Sequence, residues 1–78
     1  MAQETVAQKA MLQGRVKWFD PDKSYGFITV KLGKDRKKDY FCHLSYVRGD
    51  TTPQKNQRVR FRAAPSRKGL EARDVELL

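Results

Sequence analysis

The chain has 78 residues, a formal net charge of +8 and a single cysteine. A domain this small commands only about 3–5 kcal/mol of net core stability, which leaves no room for an enzyme's second lobe or lid. No apolar run approaches the roughly 20 residues of a membrane span, and no segment carries the apolar helical face of a membrane-surface anchor.

Residues 1–11 are polar and alanine-rich. Short isolated helices are marginal in water, so this stretch is expected to be a flexible tail ahead of one domain over residues 12–78. It lacks the basic and apolar regions of a signal peptide. From Leu12 the pattern turns to strand. Gln13–Asp20 is β-rich and partly alternating, and Asp20-Pro21-Asp22-Lys23-Ser24 reads as a turn. Tyr25–Lys31 predicts a second strand, and Gly33–Lys38 a charged hairpin tip. Asp39–His43 predicts a third strand. Leu44–Val47 is long enough for one helical turn, and Arg48–Gln57 reads as a loop. Arg58–Ala63 alternates strictly as a fourth strand; after a turn at Pro65–Gly69, Leu70–Val75 completes a fifth. Five short strands without a long helix predict an all-β barrel or sandwich.

Alternation divides the side chains between two faces. Ile28 and Cys42 are good core residues. Pointing them inward turns Tyr25, Phe27, Phe41 and His43 outward, and places Gly26 and Tyr40 on the core side. The opposite assignment buries three aromatics with His43 and exposes Ile28, so the first is preferred. Trp18 and Phe19 are adjacent, and regular alternation cannot turn both outward. A bulge is expected there, with Trp18 exposed and Phe19 at the margin.

Exposed rings beside Lys17 and Lys23 suit unpaired bases. Every base has a π-face, and stacking contributes about 1–3 kcal/mol per base. The strongly positive balance favours the same partner through phosphate contact. The tip cations Lys34, Arg36, Lys37 and Lys38 are candidates to extend that contact. A protein-interaction module docking on RNA polymerase, a ribosome or another regulator is the leading alternative. A metal-dependent nuclease using Asp20, Asp22 and Asp39 ranks below it, because each carboxylate sits at a turn or strand end among lysines. Cys42 and His43 point to opposite strand faces and cannot form a nucleophile–base dyad. One cysteine and one histidine do not make a zinc site, so no metal or other cofactor is expected. A lone cysteine in a chain this small fits a reducing compartment. The stripe Arg58, Arg60 and Arg62 opposes Val59, Phe61 and Ala63, and reads first as a solvated outer face.

The motifs resemble those of the cold-shock domain family. Gly14-Arg15-Val16-Lys17-Trp18-Phe19-Asp20 is similar to its opening, Lys23-Ser24-Tyr25-Gly26-Phe27-Ile28 to its first ribonucleoprotein motif, and Tyr40-Phe41-Cys42-His43-Leu44 to its second. The resemblance continues through Gln57–Phe61 and Gly69–Val75 and covers residues 12 to about 76. It implies a five-stranded antiparallel OB-fold barrel without catalytic activity. It also implies binding of single-stranded RNA and DNA, with roles such as RNA chaperone or regulator of transcription or translation; a monomer rather than a dimer is expected, in the bacterial cytoplasm or nucleoid. Carried over by position, the binding residues are Lys17, Trp18, Lys23, Tyr25, Phe27, Phe41 and His43, with Phe19 at the edge. The chain departs from the family in four places. Ser24 stands where glycine is usual, a minor change if the backbone there needs no positive φ. Leu44 replaces a frequent aromatic, and the loop from Asp50 to Gln57 carries none. The Gly33–Lys38 tip is longer and more basic than usual in bacterial members.

Overall fold

A computed structural model describes residues 11–67 and 69–78. Five strands form a closed barrel: β1 (Leu12–Asp20), β2 (Tyr25–Lys31), β3 (Lys37–His43), β4 (Arg58–Ser66) and β5 (Gly69–Leu77). Two 3-10 turns, Leu44–Tyr46 and Arg48–Asp50, follow β3. The tail expected over residues 1–11 lies, as far as residue 10, outside the described residues.

The ring order is β1-β2-β3-β5-β4. β1, β2 and β3 form an antiparallel meander, and β4 pairs antiparallel with both β1 and β5. The expectation of an antiparallel barrel needs one correction: β3 and β5 run parallel, at Phe41↔Glu71. The reason is parity. In a closed ring of an odd number of strands, directions cannot alternate all the way round, so one seam must be parallel. A parallel bridge between Val47 and Val75 extends that seam.

The core follows the alternation. Gly26, Ile28 and Val30 of β2 face inward opposite Cys42, Tyr40 and Lys38 of β3. Val16, Val47, Val59, Phe61, Ala72 and Val75 join them, with the Tyr40 and Phe61 rings 5.1 Å apart. Burial at about 25 cal/mol per Å² of apolar surface is what holds these short strands together. β4 and β5 outrun their expected ends: Pro65 pairs with Leu70, and Ser66 with Gly69. Pro65 is tolerated because β4 meets β1 only over Arg58–Phe61, so the other edge of β4 at Pro65 has no ladder to lose.

The turn from β1 to β2 is built by Asp20, whose Oδ1 accepts from the amides of Asp22 (2.9 Å) and Lys23 (3.3 Å). Ser24 leaves the turn at φ 63°. That conformation aims its carbonyl at the Leu44 amide (2.8 Å) while its own amide donates to the Asp20 carbonyl (2.8 Å), tying the turn to the end of β3. The backbone there does need a positive φ, so serine in place of glycine is not minor: a left-handed L-residue costs about 1–2 kcal/mol. Ser24→Gly should recover about 0.5–1 kcal/mol after glycine's greater freedom in the unfolded chain is subtracted. For a domain of this size that is a Tm about 2–8 °C higher in a thermal melt. An unchanged or lower Tm would show that the serine side chain offsets the strain.

Candidate nucleic-acid interface

The outward face of the β1–β3 meander is set by register. Opposing pairs Tyr25↔His43 and Phe27↔Phe41 stand side by side on β2 and β3, and Trp18 of β1 aligns with Phe27. Trp18 reaches this face through a bulge. The β1–β2 register shifts between Val16 and Trp18, so Lys17 is the extra residue. Without it Trp18 would share the inward face of Val16, two residues earlier. With it, Val16 is buried and Trp18 is 40% exposed.

Four rings then touch in a closed circuit. Trp18 lies 5.9 Å from Tyr25 and 5.3 Å from Phe27; Phe41 lies 5.6 Å from Tyr25 and 5.9 Å from Phe27. All four pairs are tilted or edge-to-face, which avoids the face-to-face sandwich that the ring quadrupoles disfavour. Each ring holds its neighbour's rotamer, so the face is ordered before any ligand arrives. Tyr25, Phe27 and Phe41 are half-buried by one another rather than by the core.

His43 extends the face beside Tyr25. Its Nδ1 accepts from the Ser45 amide (3.1 Å) and lies 2.9 Å from the Ser45 hydroxyl. An amide can only donate, so the neutral ring carries its proton on Nε2, which is left as a donor. Tyr46 follows at 6.0 Å from His43, and the Arg73 guanidinium sits 4.3 Å over the Tyr46 ring while bonding the buried Glu71. Tyr46 and Arg73 were not among the sequence candidates. Tyr46 sits in a 3-10 turn, where strand alternation says nothing about facing.

The charged candidates divide. Lys17 is exposed at the bulge and bonds Asp39 at 2.9 Å; Asp39 also accepts from the Thr29 hydroxyl at 2.8 Å. The Lys17 ammonium, and after it the Thr29 hydroxyl, hold the Asp39 carboxyl below the usual carboxylate range. Lys23 is exposed at the turn, and Lys34 and Arg36 at the hairpin tip. Lys37 faces the same side as Phe41, two pairs further along. Lys38 does not: it belongs to the inward set of β3, with its ammonium 5.9 Å over the Tyr40 ring at the barrel's end. Phe19 is not part of the ring circuit. The bulge that turns Trp18 out turns Phe19 inward, where it packs against the core and over Gly26.

The model of the "Cold-shock" DNA-binding domain matches residues 12–78. The chain belongs to the cold-shock domain family. Members of this family bind single-stranded nucleic acids. The chain is 41% identical over 70 residues to a cold shock-like protein of Bordetella pertussis, covering 87% of this chain and 100% of the relative. The major cold shock protein of Micrococcus luteus is 40% identical with the same coverage. Among solved structures, a chain of Drosophila Unr superposes with a TM-score of 0.71 at 19% identity, over 97% of this chain. This chain spans 30% of that one, and the likeness is one of fold.

The remaining candidates of this cold-shock domain have structural roles. Asp20 caps the turn that also holds Asp22, while Asp39 is bonded to Lys17 and Thr29, so the three carboxylates considered for a nuclease are not gathered; no metal-holding group of three occurs among the described residues. Cys42 is buried against Gly26, and desolvation pushes its thiol up to about 11. In the arginine stripe, Arg60 bonds Glu76 through Nε (3.0 Å) and Arg62 bonds Asp74 (3.1 Å), so two of its charges are met within the barrel wall. The Glu76 carboxyl is accordingly held below its usual range by Arg60.

Proposed function

We propose that this cold-shock domain binds unpaired RNA and DNA by stacking bases on Trp18, Tyr25, Phe27 and Phe41. His43 would offer its Nε2 proton to a base edge, and Lys17 and Lys23 would meet phosphates. The single observation that carries the reading is the circuit of four mutually ordered rings, left facing solvent and flanked by lysines. Exposed aromatic patches are rare on monomers that do not use them.

Holding strands open requires no catalytic step. A protein that binds the unpaired state and not the duplex shifts local pairing toward the open form by mass action. That is RNA-chaperone behaviour, and it also permits regulation of transcription or translation where a hairpin controls access. A single cysteine in a chain this small fits a reducing cytoplasm.

Trp18 is the chain's one tryptophan, so its emission reports the site alone. Titration with oligothymidine or oligouridine at low salt should quench it, and the affinity should fall as salt rises, with a slope of about −0.7 per phosphate neutralised. Absence of quenching at low salt would remove the stacking mechanism.

A further inference from the structure

Beyond the rings, the same sheet face runs into a broad basic cleft of about 830 Å³. Its cations are Arg15, Lys17, Lys31, Lys37, Lys55 and Arg58; Asp39 is its one carboxylate, already bonded to Lys17. Six positive groups against one negative group leave a formal excess of five.

Two features of this cleft have no structural benefit to the barrel. Lys31 stands directly opposite Lys37 across β2 and β3. Arg15 stands directly opposite Arg58 across β1 and β4. Like charges in direct cross-strand register destabilise a sheet. Both pairs line one concavity, where a single polyanion relieves both. The Arg15 guanidinium is also held in place by the Asn56 carbonyl (3.2 Å), and so is preorganised at the wall.

Direction matters as well. Along β2 and β3 the outward pairs run Tyr25↔His43, Phe27↔Phe41, Thr29↔Asp39, Lys31↔Lys37. Successive outward pairs are about 7 Å apart, so the lysine pair lies about 14 Å beyond the Phe27–Phe41 pair on an uninterrupted surface. A strand stacked on the rings and leaving over Thr29 has its phosphates delivered to the cleft.

We propose that this cleft is a phosphate-binding extension of the site, which takes the backbone of the same single strand beyond the bases held by the rings. The proposal depends on the stacking reading for the strand's path, and commits to nucleic acid rather than an acidic protein as the occupant.

The test uses the full chain, the triple variant Lys31→Gln/Lys37→Gln/Arg58→Gln, and oligothymidines of about 4 and about 12 nucleotides, within the range of site sizes of OB-type barrels. All three side chains are exposed, and the change removes both like-charge pairs, so the variant should melt no lower than the parent. Trp18 quenching by the short oligonucleotide should be unchanged. For the long one, the salt slope should fall by about 2, so that between 50 and 200 mM salt the parent loses about 20-fold more affinity than the variant. Equal slopes for parent and variant on the long oligonucleotide would overturn the proposal. So would a variant that binds both oligonucleotides like the parent but has lost binding to poly-glutamate, since the cleft would then serve an acidic protein. If the short oligonucleotide fails to quench Trp18 while the difference on the long one persists, the stacking reading fails and the cleft stands.

Discussion

Replacing Gly26 with alanine should cost this domain most of its stability. A methyl group built there would lie 2.1 Å from the Trp18 carbonyl oxygen, 2.7 Å from the Phe19 Cα and 2.8 Å from the Phe19 ring. The first two are backbone atoms, so no side-chain rotation relieves the clash. The glycine is demanded by space rather than by φ: the bulge at Lys17 folds the β1 backbone down over β2, and only a missing Cβ lets it approach. Overpacking a rigid site costs about 1–3 kcal/mol, and a backbone clash this close sits at the top of that range. Against a core worth about 3–5 kcal/mol, that leaves a marginal fold. A loss of about 3 kcal/mol lowers Tm by about 12–24 °C at this size. Thermal unfolding followed by circular dichroism reads the result directly; a Tm within a few degrees of the parent would mean that the two strands are not packed as described.

Phe27→Ala should weaken single-strand binding by about 5–150-fold, the equivalent of one stacked base at about 1–3 kcal/mol. Phe27, like Tyr25, touches both Trp18 and Phe41, so its loss opens one side of the circuit. Its truncation removes a stacking surface and frees the Trp18 rotamer together. Phe27→Leu separates the two effects, because leucine refills the space between the neighbours and has no π-face. Both variants should stay folded, since Phe27 points away from the core. If Phe27→Leu binds oligothymidine as tightly as the parent, bases are held elsewhere. If Phe27→Ala unfolds the domain, the ring is core and the facing is wrong.

Facing was legible in the sequence wherever alternation was strict. Tyr25–Lys31 was placed residue for residue, and with it the partition that turns Phe27 outward and Ile28 inward. The need for a bulge was legible from the adjacency of Trp18 and Phe19; its position at Lys17 was not, because that depends on pairing with β2. Ser24 misled for a similar reason. Its positive φ is imposed by a carbonyl that must reach Leu44, twenty residues further on, and no local pattern records that contact. The basic cleft was invisible for the plainest reason. Its cations come from β1, β2, β3, β4 and the loop before β4, and only strand register gathers them.

The odd number of strands has one more consequence, for what this domain can and cannot join. In a closed ring every strand is paired on both sides over part of its length, which hinders the addition of a sixth strand, the route by which many β-proteins aggregate or capture extended peptides. The parallel seam is where that protection thins, because β3 meets β5 in register only at Phe41. The part of β3 that precedes it, Lys37-Lys38-Asp39, therefore presents backbone groups to the outside. It also carries a charge at every position, and consecutive charged side chains discourage strand addition. The lysines at the hairpin thus guard this unpaired margin of β3 against self-association. Removing them for the sake of a more neutral binding surface would weaken that guard.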